Sequence, residues 1–195
     1  MIYFLIEGYR YTHSHKAYFS RLLLFAVLSE IPFCLAFSGD KVIEFTGFNM
    51  IFTLCLCYCL IHISQTAEIP AVRITLYIGI ISLSLFCDWA VLAPVYTLLF
   101  IRAGASFFRT AAAYLFSMAL LAGLDFLSFV NTMPFHEALL YSCLGMTGIG
   151  LSAICILFFY NGKRAIKGRS FSQWFFYIFY PAHLFILGII RIALL

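Results

Sequence analysis

Apolar residues fill long runs separated by short polar clusters, at about 17–36, 42–64, 70–87, 89–101, 110–130, 136–160 and 171–193, with a shorter run over 1–8. A hydrocarbon core of about 30 Å asks for roughly 20 apolar residues per helical crossing, so runs of this length predict membrane helices rather than the segments of a soluble core. The pattern predicts an all-α, polytopic membrane protein of about seven transmembrane helices plus a partial N-terminal one, forming a single integral domain over residues 1–195. The run 89–101 is short for a crossing, but deleting it would reverse the side of every later loop. The opening "MIYFLIEG" would rise only about 12 Å as a helix and cannot span alone. It lacks the basic leader and small-residue cleavage site of a signal peptide. We read it as the end of a helix whose earlier part the chain does not contain.

Composition supports this class, since 64% of the residues are hydrophobic and 10% charged. An ordinary soluble domain is about 25% charged. The net charge of +4 is explained by topology: loop by loop, Arg10, Lys16, Arg21, Arg73, Arg102, Arg109, Lys163, Arg164, Lys167 and Arg169 share one side, and only Lys41 and Arg191 fall on the other. The positive-inside rule places the ten in the cytoplasm and the C-terminus outside, and no nucleic-acid partner is implied. The seven cysteines lie in or beside apolar runs without a CxxC pair, so neither a disulfide framework nor a metal site is expected.

Ionisable groups at membrane depth cost several kcal/mol unless paired or hydrated, which makes them the best functional pointers in such a sequence. Glu30 in "LSEIPF" lies about 13 Å along its helix from Arg21, beside Pro32. Asn49, seven residues into the next run, and His183, about 18 Å from the cytoplasmic start of the last one, share its layer. Within "YIFYPAHLFILGII", 177–190, Pro181 cannot donate a hydrogen bond to the Tyr177 carbonyl. The helix is therefore expected to bend or open one turn before His183 and to aim the imidazole into an interior polar site. Asp88 in "CDWA" and Asp125 in "GLDF" fall near outer helix ends, in reach of headgroup water, while Glu7 and His62 fall near the cytoplasmic surface. The loop "YNGKRAIKGRS", 160–170, is the densest basic segment; its arginines, lysines and glycines suit phosphate, anionic lipid or simple topology.

The succession "FLIEGYRYT", "RLLLFAVLSEIPFCLAF", "NMIFTL", "CDWAVLAPVYTLLF", "LFFYNGKRA" and "FYIFYPAHLFIL", in this order and spacing, resembles the TraX family of bacterial integral membrane proteins. The likeness covers nearly the whole chain, and its specific part is the SEIPF and YNGKR…FYPxHL segments. It implies a multi-pass protein of the bacterial inner membrane and an acetyl transfer from acetyl-CoA, as in pilin N-acetylation, with the acceptor open. It marks Glu7, Gly8, Glu30, Pro32, Asn49, Asp88, Tyr160, Asn161, Gly162, Lys163, Arg164, Tyr180, Pro181 and His183. Family members usually begin with a further helix carrying an Asp-His pair, which this chain lacks.

For acetyl transfer the coenzyme phosphates need a cytoplasmic anion site, expected at Lys163 and Arg164 with Asn161 and Tyr160. His183 is the expected base or acid-base partner, and Glu30 the group that orients it or accepts an ammonium. Asn49 or Tyr180 is the expected oxyanion donor, with Asp88 also assigned to the catalytic set. The partners are then acetyl-CoA, a pilin or other cell-envelope acceptor, and the bilayer. The same Glu30 and His183 would equally serve a proton-coupled transporter, and a non-catalytic assembly factor is a third reading.

Overall fold

A computed structural model describes residues 1–39, 43–160 and 169–194, without the side chains of 169–173 and 194. Among these residues every regular element is helical: α1 (Ile2–Tyr11), α2 (His15–Phe37), α3 (Met50–Thr66), α4 (Pro70–Leu83), α5 (Leu92–Ala103), α6 (Phe107–Phe129), α7 (Phe135–Gly145), α8 (Thr147–Ile154) and α9 (Arg169–Leu194). This is the outcome a bilayer demands, because only a helix or a closed barrel satisfies its own backbone polar groups in hydrocarbon.

Among the described residues four helical stretches are long and apolar enough to cross a membrane: His15–Phe37, Phe107–Phe129, Phe135–Phe159 and Trp174–Ala193. Met50–Thr66, Pro70–Phe86 and Leu92–Ala103 are apolar but shorter. Four of the expected seven crossings thus reach full length, and the shorter ones are short where two of the runs are broken. The run 42–64 becomes helical only at Met50, because Gly47 adopts φ 123°, a conformation that side chains rarely take, and Asn49 caps the helix. Run 70–87 ends in a 3₁₀ turn, Ser84–Phe86, and the next helix waits until Leu92. The two non-helical stretches pair with each other through an isolated bridge between Phe48 and Cys87. The run 136–160 is also divided, into α7, α8 and a π-helical turn at Cys155–Phe159.

A second correction concerns Pro181. Helix α9 continues as helix past it, so of the expected bend or opening before His183 the opening does not occur.

The chain forms two compact units, one of residues 1–97 with the described part of 164–195, the other of residues 98–163. In the first, α2 lies along both α9 and α3, while α1 and α4 pack on α3. The α2–α9 approach is close, for a Cβ added at Gly188 would stand 2.7 Å from Leu35 Cδ2. Small residues permit such contact where dispersion, rather than water, drives helix association. At the same end Arg191 fastens the helices: its Nε donates to the Leu35 carbonyl at 3.0 Å and Nη1 to the Ser38 and Gly39 carbonyls, the latter at 2.8 Å. A guanidinium at the C-terminus of α2 satisfies carbonyls that the helix leaves open and complements its dipole. In the second unit α6 packs on α7 and α8. Asp125 Oδ2 lies only 2.6 Å from where a Gly145 Cβ would stand, next to the break between α7 and α8.

Candidate functional site

Ala26, Glu30 and Cys34 recur at four-residue spacing and so form one stripe of α2. Asn49 joins that stripe to α3. Its Nδ2 donates to the Ala26 carbonyl at 2.7 Å and to Glu30 Oε2 at 2.6 Å, and its backbone N–H donates to the same Oε2 at 3.3 Å. Its Oδ1 meanwhile accepts from the N–H groups of Ile51 at 2.9 Å and Phe52 at 3.4 Å. Asn49 is completely buried, and both amide hydrogens are committed. It therefore has no N–H to offer an oxyanion; what it does is cap α3 and hold Glu30. One Glu30 oxygen is thereby fixed at a helix N-terminus, where the macrodipole favours negative charge. Among the described residues the other, Oε1, accepts only from the Cys34 thiol at a long 4.0 Å.

Helix α9 supplies the aromatic side. The Met50 N–H donates to the Tyr180 hydroxyl at 3.2 Å, which uses a lone pair of that oxygen and leaves its proton for another acceptor. His183 lies one turn from Phe179, stacked on its ring with centroids 5.0 Å apart, and edge-on to Tyr180 at 5.5 Å. Its Nδ1 is 2.9 Å from the Phe179 carbonyl. A carbonyl only accepts, so Nδ1 carries the proton and the neutral ring keeps its lone pair on Nε2. The orientation of His183 thus comes from the Phe179 carbonyl and ring.

Asp88 belongs to the same neighbourhood, held there by its backbone. Its N–H donates to the Phe48 carbonyl at 2.8 Å, the Phe48 N–H donates to the Phe86 carbonyl at 2.9 Å, and the fully buried Thr53 hydroxyl donates to the Asp88 carbonyl. The carboxylate accepts from the Trp89 N–H at 3.1 Å, and partial burial pushes its pKa up from the ordinary range. The charges of Glu30 and Asp88 both act on the Tyr180 hydroxyl. Trp89 and Val91 each adopt φ 57°. For bulky and β-branched residues this left-handed backbone costs about 1–3 kcal/mol and persists only where surroundings fix it, a pattern concentrated at functional sites. The structure therefore brings Glu30, Asn49, Asp88 and Tyr180 into one neighbourhood, with His183 beside Tyr180 on α9.

Other expected residues lie elsewhere. His62 pairs with the Tyr9 hydroxyl through Nδ1 at 2.9 Å, and beside it His15 and Tyr58 bond reciprocally, Nδ1–H to hydroxyl at 3.2 Å and hydroxyl to the His15 carbonyl at 3.0 Å. Glu7 lies near this end of α1, its charge acting on Tyr3. Asn161, Gly162, Lys163 and Arg164 fall outside the described residues; Tyr160, the last residue before them, has extended backbone. Thr53 was not singled out in the sequence, where a lone threonine in "IFTLCLC" carries no signal of its own.

No solved structure matches the chain. It is 29% identical over 198 residues to a Dichelobacter nodosus protein named as a probable fimbrial assembly protein FimC, serogroup H1, an alignment covering 96% of this chain and 76% of that protein. The family model described as TraX protein matches residues 1–191, a range that includes both the SEIPF segment bearing Glu30 and the FYPAHL segment bearing Tyr180 and His183, and the chain therefore belongs to the TraX family.

Proposed function

We propose that the chain is a membrane-embedded acetyltransferase that moves an acetyl group from acetyl-CoA to an amine or hydroxyl of a pilin or other cell-envelope acceptor. One observation carries this reading: a carboxylate anchored through one oxygen, a phenol with its proton unassigned, and an imidazole presenting Nε2 come together among apolar helices. Acyl transfer needs a base, an oxyanion donor and exclusion of water, and these groups supply each. For an amine acceptor, nitrogen attacks the thioester carbonyl and the C–S bond breaks. The proton lost from nitrogen passes to His183 Nε2 and then to the departing thiolate, giving an amide and free coenzyme. Tyr180 donates to the oxyanion. Glu30 Oε1 and Asp88 attract the ammonium form of the acceptor, the Asp88 carboxylate accepts its extra proton to leave a neutral amine beside the base, and Asn49 positions Glu30.

The name of the Dichelobacter relative supports a pilus-related acceptor. The partition of basic residues supports about seven crossings, the shorter helices included, in a bacterial inner membrane with the C-terminus outside and the 160–170 loop in the cytoplasm. There Lys163 and Arg164, with Asn161 and Tyr160, would meet the coenzyme phosphates. Purified protein given acetyl-CoA labelled in the acetyl group and an amine-bearing peptide should release free thiol and label the peptide. Proton-coupled flux in liposomes with neither product would instead make Glu30, Asp88 and His183 a transport relay.

A further inference from the structure

Tyr18, Arg21 and Phe25 follow one another along α2 at three- and four-residue spacing and share one face. That face meets α9. Phe25 stacks on Tyr177 with centroids 4.8 Å apart and planes at 23°, and touches Trp174 edge-on at 6.1 Å. Tyr18 meets Tyr58 of α3 at 5.3 Å. Arg21 follows Tyr18 on this face and precedes Phe25, which stacks on Tyr177, and its charge acts on the hydroxyls of both tyrosines. Its Nε–H is nevertheless buried without a hydrogen-bond partner, and among the described residues no ion pair to Arg21 is found. Arg21 as a whole is half-buried; its guanidinium carries five donors and no acceptor, and a buried N–H left unpaired is costly. Its neighbours here are hydroxyls that can donate alongside it.

We propose that Arg21, with the hydroxyls of Tyr18 and Tyr177, forms a binding site for a phosphate-type anion. The fork of guanidinium donors suits phosphate oxygens, and the two phenols add neutral donors without competing negative charge. The site also has a useful distance from the Glu30 cluster. Nine residues of α2 separate Arg21 from Glu30, a rise of about 13 Å, which a flexible arm of about four peptide lengths spans. A thioester on a pantetheine arm is of this length class, so a donor anchored by its phosphates at Arg21 would present its acyl group at Glu30. Assigning the anion to the acyl donor rests on the acetyl-transfer reading; the anion site itself does not. The other source of the same chemistry is a lipid headgroup phosphate, which an arginine near the cytoplasmic surface also reaches.

The experiment uses the full chain in phosphatidylcholine nanodiscs, titrated calorimetrically with coenzyme A and separately with inorganic pyrophosphate. A parallel native mass spectrum from phosphatidylglycerol nanodiscs counts retained anionic lipid. Arg21→Gln is expected to weaken coenzyme A and pyrophosphate binding about tenfold or more, Arg21→Lys to restore part of it, and Tyr177→Phe to cost less. Arg21→Lys and Tyr177→Phe keep charge and packing respectively, so they remain informative if the glutamine variant fails to fold. Loss of coenzyme and pyrophosphate affinity supports a soluble donor's phosphates, and loss of retained phosphatidylglycerol alone supports a lipid headgroup. Arg21-dependent pyrophosphate binding without any acetyl transfer would sink the enzymatic reading and leave the anion site standing. If wild type and all three variants match in every arm, or if none binds an anion, the site is overturned.

Discussion

Replacing Asn49 separates the two tasks that the structure gives this one side chain. Alanine removes both the α3 cap and the hydrogen bond to Glu30, whereas serine keeps a capping oxygen but is too short to reach Glu30 Oε2. An N-cap is worth about 1 kcal/mol. A hydrogen bond to a charged group is worth about 1.5–3 kcal/mol in soluble proteins, but polar contacts in membrane proteins average about 0.6 and reach about 1.7. Because Asn49 is wholly buried and its Nδ2 lies 2.6 Å from the carboxylate, the upper part of that membrane range applies. Asn49→Ser should therefore destabilise by about 1–2 kcal/mol and Asn49→Ala by about 2–3 kcal/mol. Asn49→Asp keeps the cap yet sets two carboxylates side by side, so one must hold a proton and stability should fall as pH rises. Reversible sodium dodecyl sulfate titration followed by circular dichroism reads all three. Serine and alanine variants indistinguishable from wild type would show that Asn49 neither caps α3 nor holds Glu30.

Arg191→Met should lower stability in the same titration by about 1–3 kcal/mol, because three carbonyls at the end of α2 lose their donor, and Arg191→Lys should recover only part; an unchanged midpoint for methionine would refute the capping role. Asp88 has a folded pKa raised by burial, so the folded state binds its proton more tightly than the unfolded one. Its contribution is full below the ordinary carboxylate value of about 4 and is lost as pH rises through the raised one. Asp88→Asn should accordingly be more stable than wild type at pH 7, with the gap closing on acidification, and a gap that widens toward acid would contradict the burial. His183→Ala should cut acetyl transfer by about 100-fold or more while coenzyme A affinity stays within about twofold; near-normal turnover would leave the imidazole a packing group.

The helices were legible because hydrophobic run length reports membrane segments directly; helical rise suggested one layer for Glu30, Asn49 and His183, while Tyr180 was marked only by the family resemblance. What the sequence hid was where the runs stop being helical. Residues 43–49 carry Glu44, Thr46, Gly47 and Asn49 among apolar neighbours, a break that run length alone passes over, and Trp89–Val91 reads as the start of the run 89–101 although its backbone is not yet helical. Hydropathy is blind to backbone conformation, so the pairing of these stretches and the buried place of Asp88 emerged only in three dimensions. Pro181 misled in the opposite direction, since a proline inside a packed helix costs a hydrogen bond without ending the helix. Arg191 looked like a minor exception to the charge partition until its carbonyl partners were seen.

Acetyl transfer at Glu30 is tested most directly by following label from acetyl-CoA to an amine-bearing peptide with wild type and Glu30→Gln side by side. Glutamine preserves the size of the side chain and an oxygen to accept from Asn49, but removes the charge. Wild type should label the peptide, and the variant should do so about 100-fold more slowly or worse while still binding labelled acetyl-CoA. Equal labelling by the two proteins, or none by wild type that demonstrably binds acetyl-CoA and peptide, would contradict a catalytic site at Glu30.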